Sequence, residues 1–112
     1  MTQKLYHVRL LAPEASGGFS TPEPVDLIQG ALVLGFRVIQ NTAPHLEVVM
    51  DDESSAPIST RWFVLGSKLG AEIPYVIVRH VGVDCIGYQH IHCFEILPPE
   101  ESYAAPEPLA VE

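Results

Sequence analysis

The sequence predicts a mainly β protein: a small single-domain β-sandwich or partly open barrel of about six strands with little helix. Three observations carry that expectation. Short β-branched and aromatic runs recur along the chain, separated by clusters of Pro, Gly, Ser and acids. The densest run, residues 75–97 (YVIVRHVGVDCIGYQHIHCFEIL), reads as two strands, 75–81 and 89–97, around a turn-rich centre with Gly82, Asp84 and Gly87. After Leu97 the composition shifts, and PPEESYAAPEPLAVE holds four prolines, four acids and no base. Residues 1–97 are therefore the expected β-rich domain, and 98–112 an acidic, Pro-rich tail expected to be disordered.

The earlier elements follow in order. Residues 4–11 (KLYHVRLL) alternate as a first strand, with Tyr6, Val8 and Leu10 on one face. Pro13 ends it, and residues 12–26 read as a loop, as does 26–30 (DLIQG). Residues 31–40 (ALVLGFRVIQ) form a second strand with Leu34, Phe36 and Val38 on one face and Gly35 marking a bulge or a close approach of backbone. Residues 41–44 are turn chemistry, and 45–50 (HLEVVM) a third strand. A polar loop, 51–60, leads to a fourth strand, 61–66 (RWFVLG), and the expected pairing of these two is a hairpin. Several strands are apolar on both faces, which predicts burial on both sides in a closed barrel or a homo-oligomer.

Composition narrows the function. Hydrophobic residues make up 47% of the 112, enough for a packed core. Fourteen acids against six Lys and Arg give a formal charge of −8. Such a surface repels a phosphate backbone, so direct nucleic-acid binding is not expected, whereas binding to a basic site on another protein is compatible with the charge. No apolar run approaches the roughly 18 residues of a membrane helix. No signal-peptide pattern leads the chain, and two cysteines make no disulfide framework. The expectation is a cytoplasmic protein with no membrane partner.

Four constellations could carry chemistry. His90 and His92 point to one face of a strand, and with Cys85 or the upstream His80 folded across they would make a zinc site. No CxxC or HExxH spacing supports it, and the same face carries Phe94 and Ile96, so a hydrogen-bonded core His92 is the favoured alternative. No cofactor is expected beyond that candidate zinc. Cys93 lacks a base because its neighbour His92 points the other way, and Asp84 beside Cys85 disfavours a thiolate, so no catalytic residue and no enzyme is expected. Gly66, Ser67, Lys68 and Gly70 follow a strand and, with Arg61 and His92, form the candidate anion and ligand pocket. The competing reading is an ordinary turn with its glycines at positive φ. Asp51, Asp52 and Glu53 lack calcium-loop spacing and, with an outward Trp62, form the candidate partner surface.

The order of features resembles a family of short bacteriophage and prophage proteins known only as a domain of unknown function. The resemblance runs through Lys4 to Tyr6, Gly30-Ala31, Gln40-Asn41, Leu46-Glu47, residues 61–67, and His92-Cys93-Phe94-Glu95, over about residues 4–96. The chain departs from the pattern with an extra residue before Gln40, Leu46 where Trp is usual, and Gly-Ser-Lys in place of Gly-Thr-Gly. The resemblance implies a phage or prophage origin and no activity. The function expected first is a non-catalytic phage-type accessory protein that binds and blocks a host protein, a possible counter-defence inhibitor. A small-molecule or nucleotide-signal sponge, expected as a homo-oligomer, is the alternative, and a zinc-binding protein the third.

Overall fold

The structure, a computed structural model, describes residues 3–11, 18–40, 43–51, 53–67, 70 and 72–99. Its strands are β1 (Gln3–Arg9), β2 (Glu23–Ile28), β3 (Leu32–Ile39), β4 (Ala43–Asp51), β5 (Ile58–Gly66), β6 (Ile77–Ile86) and β7 (Gln89–Ile96). All pairings are antiparallel, in two open sheets ordered β1-β4-β3 and β2-β5-β7-β6. The sheets face each other as a sandwich, and no helix occurs among the described residues. The barrel alternative is thereby set aside.

The interior follows from strand alternation. Leu46 and Val48 of β4 face Phe63 and Leu65 of β5 and Ile91 and Cys93 of β7, all essentially inaccessible. Burial of such side chains contributes ~1.5–3 kcal/mol each. Gly35 does accompany a bulge, since the β3–β4 register slips between Val33 and Gly35. The extra residue breaks the simple alternation expected for β3. Val33 and Phe36 are buried, while Leu34 is turned out and exposed.

Two expectations about the chain path are corrected. A seventh strand, β2, lies where residues 23–28 were read as loop. Its Pro24 supplies no N–H, but β2 is the edge of its sheet, where a missing N–H is tolerated. The 45–50 and 61–66 runs do not pair as a hairpin: β4 is the middle strand of one sheet and β5 pairs with β2 and β7 in the other. The polar connection between them crosses from layer to layer. The β6–β7 hairpin stands, but β6 continues through Gly82 and Asp84, and only Gly87 and Tyr88 form the turn. Beyond Pro99 the proposed tail lies outside the described residues.

The two sheets approach most closely where β3 runs beside β6. A Cβ on Gly82 would stand 3.2 Å from Phe36 Cβ and 3.3 Å from its backbone nitrogen. Polar side chains of the second sheet occupy the edge groups of β3: Asp84 Oδ2 accepts from Val38 N at 2.9 Å, and Arg79 Nη2 donates to Val33 O at 2.7 Å. The edge of β3 is therefore capped by side chains rather than by another strand.

Candidate functional site

The outward face of the β2-β5-β7-β6 sheet carries the rings. His92 and Phe94 project outward from β7, opposite the buried Cys93, and His80 of β6 lies against them. His80 and His92 have ring centroids 5.2 Å apart, with His80 Nε2 and His92 Nδ1 3.1 Å apart. One ring donates a hydrogen bond and the other accepts, so a single shared proton suits a neutral pair. Burial, then the neighbouring His80 and His90, lowers the His92 pKa and favours that neutral state.

Phe19 completes this face. Ser20 N donates to Leu65 O at 2.7 Å, and Leu65 N donates to Ser20 Oγ at 2.9 Å, which ties residues 19–20 along β5. The Phe19 ring then lies on Gly66 and packs edge-on against Tyr75 and against Phe94, each with centroids 6.3 Å apart. At Gly66 a Cβ would come within 2.6 Å of Phe19 Cε1, so the glycine is needed for close approach and not for positive φ. Gly70, by contrast, has φ 83°.

Beside the histidine pair, the end of β5 and the β6–β7 turn enclose a cleft of about 460 Å³ lined by Ser67, Tyr88, Gln89, His90 and His92. Its size suits a small organic ligand. Gln89 Nε2 donates to Ser67 Oγ at 2.9 Å, which joins the two walls. The cleft thus presents imidazole, amide and hydroxyl groups beside aromatic rings.

No family model matches this chain, and neither the curated proteins nor the solved structures yield a match. The geometry alone carries the functional argument.

Of the expected ligand residues, Ser67 and His92 are brought together at the cleft, with Gly66 paired to His92 and covered by Phe19. Arg61 is not part of it. Its side chain lies on the inward face, where Nε and Nη2 donate to Glu95 at 2.9 and 2.8 Å and Nη1 to Ala31 O at 3.2 Å. Lys68 lies outside the described residues, as does Asp52. Asp51 and Glu53 shape the start of the β4–β5 connection, where Asp51 Oδ1 accepts from Glu53 N at 3.1 Å. Trp62 does face outward, half-buried between Pro24 and Ile96 in the register, while Phe63 enters the core.

The zinc constellation is rearranged. Cys85 does pair with His90, but no group of three or more His, Cys, Asp or Glu placed to hold a metal occurs among the described residues. The partner of His92 is instead His80, twelve positions away, and His92 is at the outer surface rather than in the core. Of the two residues expected to fold across, His80 is the one that meets His92, and the β6 bulges at residues 77–79 and 80–82 set which residues share that face. Gln89 and Tyr88 were missed, because they gain a role only through the two-residue turn.

Proposed function

We propose that the chain is a non-catalytic binding protein that takes up a small planar ligand with a hydrogen-bonding edge, such as a nucleotide-type signal, in the cleft beside His80 and His92. The observation that carries this reading is the convergence of Ser67, Gln89, His90 and His92 on one cleft next to a hydrogen-bonded histidine pair. A nucleobase-like edge would meet the Gln89 amide and the Ser67 hydroxyl, and its ring would stack on imidazole. Cys93 is not placed to serve as a nucleophile: it is fully buried, and burial raises its pKa to about 12. A sponge of phage type would need nothing more than tight uptake.

The test is a thermal-shift and calorimetric screen of mono-, di- and cyclic nucleotides against the purified chain. A true ligand at a hundred times its Kd adds ~2.7 kcal/mol to stability. The Gln89→Ala and His92→Ala variants should lose that gain while remaining folded. A screen with no shift at millimolar ligand, or a shift unaffected by both substitutions, removes the cleft from the argument.

A second reading, in which an acidic surface engages and blocks a host protein, is favoured by the charge of −8 and by Asp51 and Glu53 sharing one turn at the β4–β5 connection. Neutralising both acids should then weaken capture of the host partner and its salt dependence together. Capture unchanged by neutralisation would end it.

A further inference from the structure

The outward face of the other sheet is organised in rows that run across its three strands. Register places Leu5, Val49 and Leu32 in one row, His7, Glu47 and Gly35 in the next, and Arg9, His45 and Arg37 in a third. Leu5 and Leu32 are 59% and 57% exposed, large apolar groups left in water side by side with charged neighbours. The third row is cationic in a chain that is otherwise strongly acidic. Arg9 has no carboxylate partner among the described residues, and Arg37 reaches Glu47 only at 3.9 Å with its side chain 67% exposed. His45 commits Nδ1 to Ala43 O at 2.8 Å, which leaves Nε2 for an incoming group.

We propose that this face is a docking surface for an acidic segment of a partner protein that carries an apolar side chain about four residues from its carboxylates. Charge complementarity selects the occupant. Within the third row two guanidiniums and a histidine face outward. The carboxylates of this face lie in other rows, Asp51 beyond the apolar row and Glu47 between the two. Glu47 is flanked by Arg37 at 3.9 Å and His7 at 3.7 Å, while Asp84 of β6 acts on Arg37 from the neighbouring sheet. The apolar row lies four residues along β1 from the cationic one, or ~13 Å at strand rise, a separation an extended segment matches with side chains of one face. Carboxylates would take the Arg9 and Arg37 guanidiniums in paired hydrogen bonds, while Leu5, Val49 and Leu32 cover the apolar side chain. A nucleic-acid strand fits less well, because the cationic groups are confined to the single row of Arg9, His45 and Arg37, which offers no continued track for successive phosphates. The surface lies on the opposite sheet from the cleft, so its fate is separate from that of the ligand reading.

The experiment is a titration of the full-length ¹⁵N-labelled chain with a synthetic Thr-rich peptide that carries Leu and, four residues further on and so on the same face when extended, Glu, followed by amide shifts. Three comparators accompany it: the same peptide with Lys for Glu, oligothymidylate, and dilution of the protein alone. The expected result is shifts confined to β1, β3 and β4 that weaken with salt, with affinity at least tenfold lower in Arg9→Glu/Arg37→Glu. Should that variant fail to fold, Leu5→Ser/Leu32→Ser must show the same direction of loss. The proposal is overturned by no shift at millimolar peptide, by equal binding of the Lys peptide, by preference for oligothymidylate, or by self-association that occupies the face.

Discussion

Arg61 of β5 and Glu95 of β7 form a two-point ion pair on the inward face of their sheet, with Nε and Nη2 at 2.9 and 2.8 Å from the two carboxylate oxygens. Arg79 of β6 adds a third contact at 3.4 Å. The same two arginines donate to Ala31 O and Val33 O at the start of β3. The pair thus joins three strands of one sheet to the edge of the other, and it specifies how the layers dock.

Removing one partner takes away the other's principal counter-charge. Loss of one member of a buried pair costs about 3–5 kcal/mol. The Arg61 side chain is 26% exposed and the Glu95 side chain 11%, so solvent softens the effect to ~2–3 kcal/mol for Glu95→Gln. Urea unfolding should show that loss with an unchanged m-value. Arg61→Met, which leaves the carboxylate only the longer Arg79 contact at 3.4 Å, should also destabilise.

The pair also sets the acid limit of the fold. The hydrogen bond from Arg61 holds the Glu95 carboxyl below the usual carboxylate range, against an opposing effect of burial. Asp84 is lowered as well, chiefly by the Val38 amide and then by the Cys85 amide. A depressed folded pKa stabilises above the unfolded value and loses that contribution as pH falls through the folded one. Stability should therefore decline below about pH 4, near the unfolded carboxyl values. Glu95→Gln should flatten part of that decline. A wild-type curve with the same acid slope as Glu95→Gln would deny the pair its role.

Much of the sandwich was legible because alternation marks a sheet face: β1, β3, β4 and β7 lie close to where the pattern put them. Pairing was not legible. The hairpin expected between β4 and β5 rested on adjacency in sequence, whereas the inward faces of both are apolar and are buried by opposing each other across the core. The cleft was half legible. Ser67 and His92 stood out as residue types, but Arg61 was drawn to the site by proximity in sequence although it points to the opposite face of β5. His80 meets His92 beside the cleft through bulges in β6 that residue spacing does not reveal.

Gly66→Ala should test the aromatic cover of the cleft sheet. The added methyl would overlap the Phe19 ring, with contacts of 2.6 and 2.8 Å, and the ring must move. Overpacking of this kind costs ~1–3 kcal/mol. Combining it with Phe19→Leu should recover part of the loss, since contacting sites are non-additive. Purely additive losses in the double variant would show that the contact is not the cause.

The two cysteines should differ sharply toward alkylating agents. They face different partners in the hairpin, Cys93 opposite Gly82 and Cys85 opposite His90, and both are free thiols. Burial raises the Cys93 pKa to about 12, so iodoacetamide at pH 8 should label only Cys85 in the native chain. Cys93 should become reactive on unfolding in urea. Equal native labelling of both would mean that the core opens far more readily than its packing implies.

The last prediction concerns the histidine pair itself. Burial and the neighbouring His80 and His90 hold the His92 pKa below its ordinary value. A histidine with a depressed folded pKa loses its stabilising contribution as pH falls through that value, because the unfolded ring takes up the proton more readily. In His80→Ala one of the lowering neighbours is gone while burial remains. The His92 imidazole signals, followed by NMR from pH 8 to 5, should then titrate at higher pH than in the parent chain. Part of the stability lost on mild acidification should disappear with them. An unchanged or lower His92 titration point in His80→Ala would mean that the 3.1 Å contact does not couple the two rings in solution.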